Sequence, residues 1–166
     1  MQGRADTDTL AANGLQNSLY LTFSIGTEVF GIGIDHVKEI IGIQPITRIP
    51  EFPEHIKGVI NLRGGIIPVM DVRLRFRKPP QEYDARTCII VVDIFDILVG
   101  LIVDRVAEVV TIPESEIAAT PEINRRNAGY IKGFGKVGGE IKLLLDCGIL
   151  LGEDTRTIKL NKENGR

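Results

Sequence analysis

Gly31-Ile-Gly-Ile-Asp-His-Val-Lys-Glu-Ile-Ile-Gly-Ile43 returns further along the chain as Gly100-Leu-Ile-Val-Asp-Arg-Val-Ala-Glu-Val-Val-Thr-Ile112. Gly, Asp, Val, Glu and the final Ile coincide at an offset of 69 (Asp35 to Asp104), and most other columns stay aliphatic. A second stretch behaves alike. Ile56-Lys57-Gly58, Gly64, Ile66 and Asp71 match Ile131-Lys132-Gly133, Gly139, Ile141 and Asp146, at an offset of 75 (Asp71 to Asp146). The larger offset implies about six extra residues between the matched stretches of the second copy. One small unit has been duplicated and fused, and a duplicated unit has a groove between its copies where function can sit.

Working outward, Leu19, Leu21, Phe23 and Ile25 alternate with Tyr20, Thr22 and Ser24, the pattern of a half-buried strand. Gly26-Thr27-Glu28 turns it into a partner strand over 29–34. The stretch Ile43 to Ile49 alternates again, and Pro50 and Pro53 mark a loop. Strands over 56–62 and 66–70 flank Arg63-Gly64-Gly65, a hairpin turn whose glycines take positive φ, while Pro68 signals an edge or a bulge. In the second copy strands are expected near 87–92, 97–103, 106–112, 130–135 and 140–145. Asp71 caps one helical turn that Pro79-Pro80 stops, Pro113-Glu-Ser-Glu starts another turn, and residues 146–151 form a short closing helix. The reading is all-β, with about five strands per copy, enough to close a small barrel. It divides the chain into a tail (1–18), a first subdomain (19–82), a second subdomain with its closing helix (83–152) and a tail (153–166).

The chain has 166 residues, 43% of them hydrophobic and 5% aromatic, with no Trp, so the core is built from Ile, Val and Leu. That β-branched bias favours strands. A net charge of −2 argues against a nucleic-acid partner, which needs a basic face. Cys88 and Cys147 sit in apolar runs without a C-x-x-C spacing and are expected as buried, reduced thiols of a cytosolic protein. Residues 1–18 lack the apolar core of a signal peptide. The nearly all-apolar stretch 88–103 is shorter than the roughly 20 residues that span a bilayer. It also holds Asp93 and Asp96, each costing about 2.5–3.5 kcal/mol at the centre of a membrane helix, so it reads as two buried strands and a turn.

Candidate chemistry is sparse. Gly133-Phe-Gly135-Lys-Val-Gly138 matches G-x-G-x-x-G, but a dinucleotide site needs that pattern between a strand and a helix. Another strand follows here, so it reads as a hairpin turn. His36 and His55 lack a partner at metal spacing, and the serines lack a nearby base. The paired carboxylates Asp35/Asp104 and Asp71/Asp146 recur in both copies, which suits turn and helix capping better than catalysis. The basic run Arg73, Arg75, Arg77 and Lys78 is diluted by Glu82 and Asp84 and reads as a solvated face. No catalytic constellation or cofactor site emerges, so the residues favour a binding module. A nucleotide-binding or nucleic-acid-binding small barrel is the alternative.

The stretch Gly58-Val-Ile-Asn-Leu-Arg-Gly-Gly-Ile-Ile-Pro-Val-Met-Asp-Val-Arg73 resembles the N-L-R-G-x-x-x-P-V-x-D-L-R signature of CheW, the bacterial chemotaxis coupling family. Asp35-x-Val37-x-Glu39-Ile40, Thr47-Arg48-Ile49-Pro50, Glu82-Tyr83-Asp84 and Gly100-x-x-Val103-Asp104-x-Val106 agree in order, so the resemblance covers about 19–151. It implies two intertwined five-stranded SH3-like β-barrels with a groove between them. It implies a cytoplasmic adaptor without catalysis or cofactor, joining the cytoplasmic tips of methyl-accepting receptors to the regulatory domain of the histidine kinase CheA. Such an adaptor neither binds nucleic acid nor inserts in the membrane; its partners recruit it to receptor arrays. Carried over by position, Arg63 and Glu39 are expected to form an ion pair near the receptor groove, and Val37, Gly58, Gly64, Cys88, Val99, Gly100 and Val106 match groove-side positions. For Gly58 a structural duty is expected, because Gly133 is its counterpart. Ile43, Ile46 and Ile123 are the expected kinase contacts, although the family often has an aromatic where Ile123 stands. Phe95 likewise stands in a turn where a polar residue or Gly is usual, either covering a barrel end or exposed as a contact.

Overall fold

The computed structural model describes residues 19–119, 129–152, 154 and 158. Ile123 and most of the expected tails, 1–18 and 153–166, therefore lie outside the described residues. The first copy supplies β1 (Leu19–Ile25), β2 (Glu28–Gly33), β3 (Val37–Gly42), β4 (Ile56–Leu62), β5 (Gly65–Asp71) and the one-turn helix α1 (Val72–Arg75). The second supplies β6 (Cys88–Ile94), β7 (Ile97–Val103), β8 (Arg105–Thr111), β9 (Ile117–Ala119), β10 (Ile131–Val137), β11 (Glu140–Leu145) and α2 (Cys147–Leu150).

Neither sheet is made from one copy. One sheet runs β8-β1-β2-β11-β10-β9 and the other β3-β6-β7-β5-β4. The hairpin β1–β2 sits among strands of the second copy, and β6–β7 among strands of the first. Each half has in effect handed its first hairpin to the other, as in a domain-swapped dimer whose subunits were fused. The repeated stretch that opens the sequence is the crossing itself. From Gly31 to Ile43 the chain leaves one sheet at Asp35 and enters the other as β3, and from Gly100 to Ile112 it crosses back at Asp104 as β8.

This exchange explains the apolar run at 88–103. The main core gathers Phe23, Ile25, Phe30 and Ile32 from one swapped hairpin and Ile90, Val92, Val99 and Leu101 from the other. The opposite faces of the same hairpins fill a smaller core in each unit: Ile89, Val91 and Ile102 with Ile60 and Val69 on one side, Tyr20 with Ile112 and Leu144 on the other. A strand buried on both faces has no solvent side to keep polar, so it reads as continuous hydrophobicity rather than alternation.

Local chemistry follows the duplication closely. Asp71 accepts the backbone N–H of Leu74 at 3.2 Å and Asp146 that of Ile149 at 3.0 Å, each capping its helix. The N–H of Asp71 donates to the His55 carbonyl and that of Asp146 to the Tyr130 carbonyl, both at 2.7 Å and both 75-residue equivalents. The G-x-G-x-x-G stretch is strand β10 followed by a Gly138-Gly139 turn with φ of 58° and 81°.

Two expectations change. The alternating stretch 43–49 is not a strand. Only Thr47 pairs, exchanging two 2.9 Å backbone bonds with Val59, because Pro45 and Pro50 lack the N–H that a longer ladder needs. The strand lies just before it, at Val37–Gly42, with Val37, Glu39 and Ile41 turned inward and Lys38, Ile40 and Gly42 outward. In the turn after β4 the positive φ values belong to Arg63 (51°) and Gly64 (86°), while Gly65 already starts β5.

Candidate functional site

An open groove of about 1210 Å³ lies on the sheet β3-β6-β7-β5-β4. Its lining comes from all five of those strands, from the loop holding Ile49, Glu51 and Phe52, and from Ile158. No residue of the other sheet contributes, so this groove sits on one unit, whereas the resemblance implied a groove between the two barrels. The register explains its floor. Ile67 and Val69 of β5 point into the smaller core, so Ile66 faces the other way; Met70 on that face is covered by the main core, while Ile66, beside the turn, is 64% exposed. Leu98 on β7, 41% exposed, is the other large apolar lining residue that is strongly exposed.

At one end stands the Arg63–Glu39 pair, Arg63 Nη2 donating to Glu39 Oε2. The β4–β5 turn carries Arg63, and β3, the strand at the opposite edge of the sheet order, carries Glu39. The Arg63 side chain is 69% exposed and that of Glu39 29%, so the pair is open to solvent. The hydrogen bond with Glu39, then its charge, raises the Arg63 pKa further above its ordinary value. Removing Arg63 therefore leaves no buried charge behind. The pair fixes the direction of a wet guanidinium beside an apolar floor, which can meet a partner carrying an apolar stripe and a carboxylate.

The other expected contact residues separate into distinct places. Gly64 is exposed in the turn beside Arg63, with nothing within 4 Å of where a Cβ would stand. Val37 and Val106, a pair related by the duplication, and Cys88 are half-buried around the rim of the main core. Val99 and Gly100 are buried, and a Cβ on Gly100 would meet Ile89 Cγ2 at 2.6 Å and Val69 Cγ1 at 2.8 Å. These two offer no surface to a partner; their place is in the core. Gly58 is also structural, since a Cβ there would lie 2.0 Å from the Thr47 carbonyl oxygen. Ile43 and Ile46 pack, partly exposed, against the smaller core of the same unit. Phe95 is 65% exposed yet lies against Gly148, where a Cβ would come within 3.3 Å of its Cζ, so it both caps that end and shows a face to solvent.

Ile66, Leu98 and Phe52 were missed as groove residues. Ile66 had a partial signal, since it adjoins the turn and alternation puts it on the face opposite Ile67. Leu98 and Phe52 had none, because their exposure depends on which strands neighbour them.

The CheW-like domain family model matches residues 19–154. The chain is 36% identical over 155 residues to the chemotaxis protein CheW of Klebsiella aerogenes, covering 93% of each. It is 32% identical to that of Treponema pallidum over 144 residues, covering 82% of this chain and 83% of the relative. Among solved structures, the scaffolding protein TtCheW of Thermoanaerobacter tengcongensis superposes with a TM-score of 0.76 at 35% identity, covering 81% of this chain and 92% of that one.

Proposed function

The chain belongs to the CheW-like family, and on that premise we propose that it is a non-catalytic coupling protein holding chemoreceptor cytoplasmic tips and the histidine kinase CheA together. The observation that carries the reading is the Arg63–Glu39 pair at the end of an apolar groove, on a fold matched to the family from 19 to 154. An amphipathic receptor helix lays its apolar side chains over Ile66 and Leu98 while Arg63 fixes its register. The half-buried rim residues Val37, Cys88 and Val106 sense the same contact through the core they border. Ile43 and Ile46, partly exposed against the unit's smaller core, are offered to the kinase regulatory domain. In this reading the division into two subdomains, 19–82 and 83–152, is one of contact surfaces, since both sheets draw on both halves. The protein works in the cytoplasm and reaches the membrane through its partners; among the described residues no helix is long and apolar enough to cross one.

The test is direct binding of the full chain to a receptor cytoplasmic fragment and to the kinase regulatory domain. Binding to both, at 100 μM or tighter (about −5.5 kcal/mol), is expected. Binding to neither would overturn the reading.

A further inference from the structure

The hairpins β4–β5 and β10–β11 are duplicates, yet they hold their turns differently. Leu62 pairs with Gly65 across the first turn and Val137 with Glu140 across the second, so each loop is two residues long. Both loop residues have positive φ in each case: 51° and 86° at Arg63 and Gly64, 58° and 81° at Gly138 and Gly139. The twist of such a turn suits a hairpin, and it favours Asn, Asp or Gly first and Gly second. The second copy complies with two glycines. The first copy puts an arginine, whose Cβ disfavours that conformation, at the leading place.

Asn61 supplies what holds Arg63 there. Its Oδ1 accepts the backbone N–H of Gly64 at 2.9 Å, spanning Arg63 from one side to the other. An Asn side chain that reaches nearby backbone is a local tie of the kind that fixes turns. The equivalent position in the second copy, 75 residues on, is Lys136, whose side chain has donors and no acceptor. Asparagine and arginine thus stand together in the copy that carries the ion pair with Glu39, and the other copy has neither at these positions. Glu39 is aimed by a feature both copies share. Val37 pairs with Val92 and Glu39 with Val91, so Lys38 is an extra residue that bulges β3. The same bulge recurs in β8, where Val106 pairs with Phe23 and Val109 with Leu21. The aim of Glu39 therefore belongs to the duplicated scaffold, while the aim of Arg63 is particular to the first copy.

We propose that Asn61 is the positioning residue of the coupling site: by tying the Gly64 N–H it holds Arg63 in its left-handed conformation, with the guanidinium against Glu39 and open to a partner. A side chain set in place beforehand spares the partner the entropy of ordering it on binding. The effect on binding rests on the coupling reading above; the effect on the turn does not.

The first measurement needs no partner. Gly64 amide exchange and the Arg63 guanidinium resonances are recorded by NMR for the wild-type chain, Asn61→Ala and Asn61→Asp, with Glu39→Ala as the reference for an arginine released from its pair. In Asn61→Ala the Gly64 amide is expected to exchange faster and the Arg63 signals to move toward their Glu39→Ala positions. Asn61→Asp keeps the acceptor and should stay near wild type, and unchanged amides in the sheet β8-β1-β2-β11-β10-β9 report an intact fold. Unchanged Gly64 and Arg63 signals in Asn61→Ala would overturn the proposal. The second measurement is receptor-fragment affinity. It is expected to fall about fivefold in Asn61→Ala, the scale of one lost hydrogen bond, and to be restored by Asn61→Asp. In an Arg63→Gly background Asn61→Ala should change nothing, since no arginine is left to position. A further fall there would make Asn61 a direct contact and overturn its positioning role. If the NMR signals respond but the wild-type chain does not bind the fragment, the coupling reading fails and the tie to Arg63 stands. If they respond and the affinity is unchanged, the tie has no part in binding and the proposal is overturned.

Discussion

At the scale of the residue, Arg63 is the most informative side chain. It adopts a φ of 51°, a conformation that costs a residue with a side chain about 1 kcal/mol, where its counterpart in the second copy is Gly138, with a φ of 58°. An arginine kept at a glycine position is retained for what it displays. Arg63→Gly is therefore expected to fold at least as well as wild type in urea titrations, while receptor-fragment affinity falls tenfold or more; unchanged affinity would remove Arg63 from the site. Cys147 behaves in the opposite way. Burial, and then the charge of Asp146, pushes its pKa from 9.0 up to about 12. The folded state thus holds the thiol proton that the unfolded chain gives up first, so this contribution is intact below pH 9 and is lost as pH rises from about 9 to 12. The melting temperature should fall across that window, less steeply in Cys147→Ala. A thiol reagent at pH 8 should find one reactive cysteine in the native protein and two in denaturant.

At the scale of the element, the hairpin β4–β5 carries two glycines with positive φ and unlike surroundings. Gly58 (φ 148°) has the Thr47 carbonyl against it, while Gly64 (φ 86°) faces open space. Gly58→Ala combines strain with a backbone clash and is expected to destabilise by on the order of 3 kcal/mol or to prevent folding. Gly64→Ala should cost only about 1 kcal/mol. Urea unfolding of the pair checks the ranking, and equal effects would show that the bridge between Thr47 and Val59 does not constrain Gly58. The turn of β6–β7 solves the same geometric problem without glycine, with Phe95 and Asp96 at φ of 54° and 64°. There Phe95 rests on Gly148, whereas in the first copy Gly26 leaves room for Arg73, which pairs with Asp104. Each end is closed by one large side chain opposite one glycine, with the roles exchanged.

At the scale of the whole molecule, the exchange of hairpins makes the two halves inseparable. The main core is assembled from β1–β2 and β6–β7, so a chain ending at 82 would expose one wall of it and a chain starting at 83 the other. Each half expressed alone is expected to lack the dispersed amide spectrum of a folded domain, and mixing the halves should recover it. A half that folds alone would show that the smaller cores suffice. Exposure keeps the imprint of the duplication: Ile66 and Ile141 are both 64% exposed, and Ile40 and Val109 are 44% and 50% exposed. What differs is charge, since Glu39 has an arginine where Glu108 has Gly138.

Much of this was legible in the chain itself. The repeat, the all-β character, the helix-capping aspartates and the hairpin nature of the glycine-rich stretch rest on local chemistry: periodicity of two, turns that need glycine, and oxygens that cap N–H groups. Arg63 and Glu39 could be named from their motif. Strand β3 was hidden because Val-Lys-Glu-Ile-Ile does not alternate cleanly, while the alternation at 43–49 was undone by Pro45 within it and Pro50 after it. Only the tertiary structure decided that the repeated stretch crosses between sheets and that 88–103 is apolar because both its faces are covered. Only it decided that Val99 and Gly100 lie inside while Ile66 and Leu98 lie in the groove. Those outcomes depend on which strands become neighbours across long sequence separations, and a side chain's own pattern carries no record of what will stand opposite it.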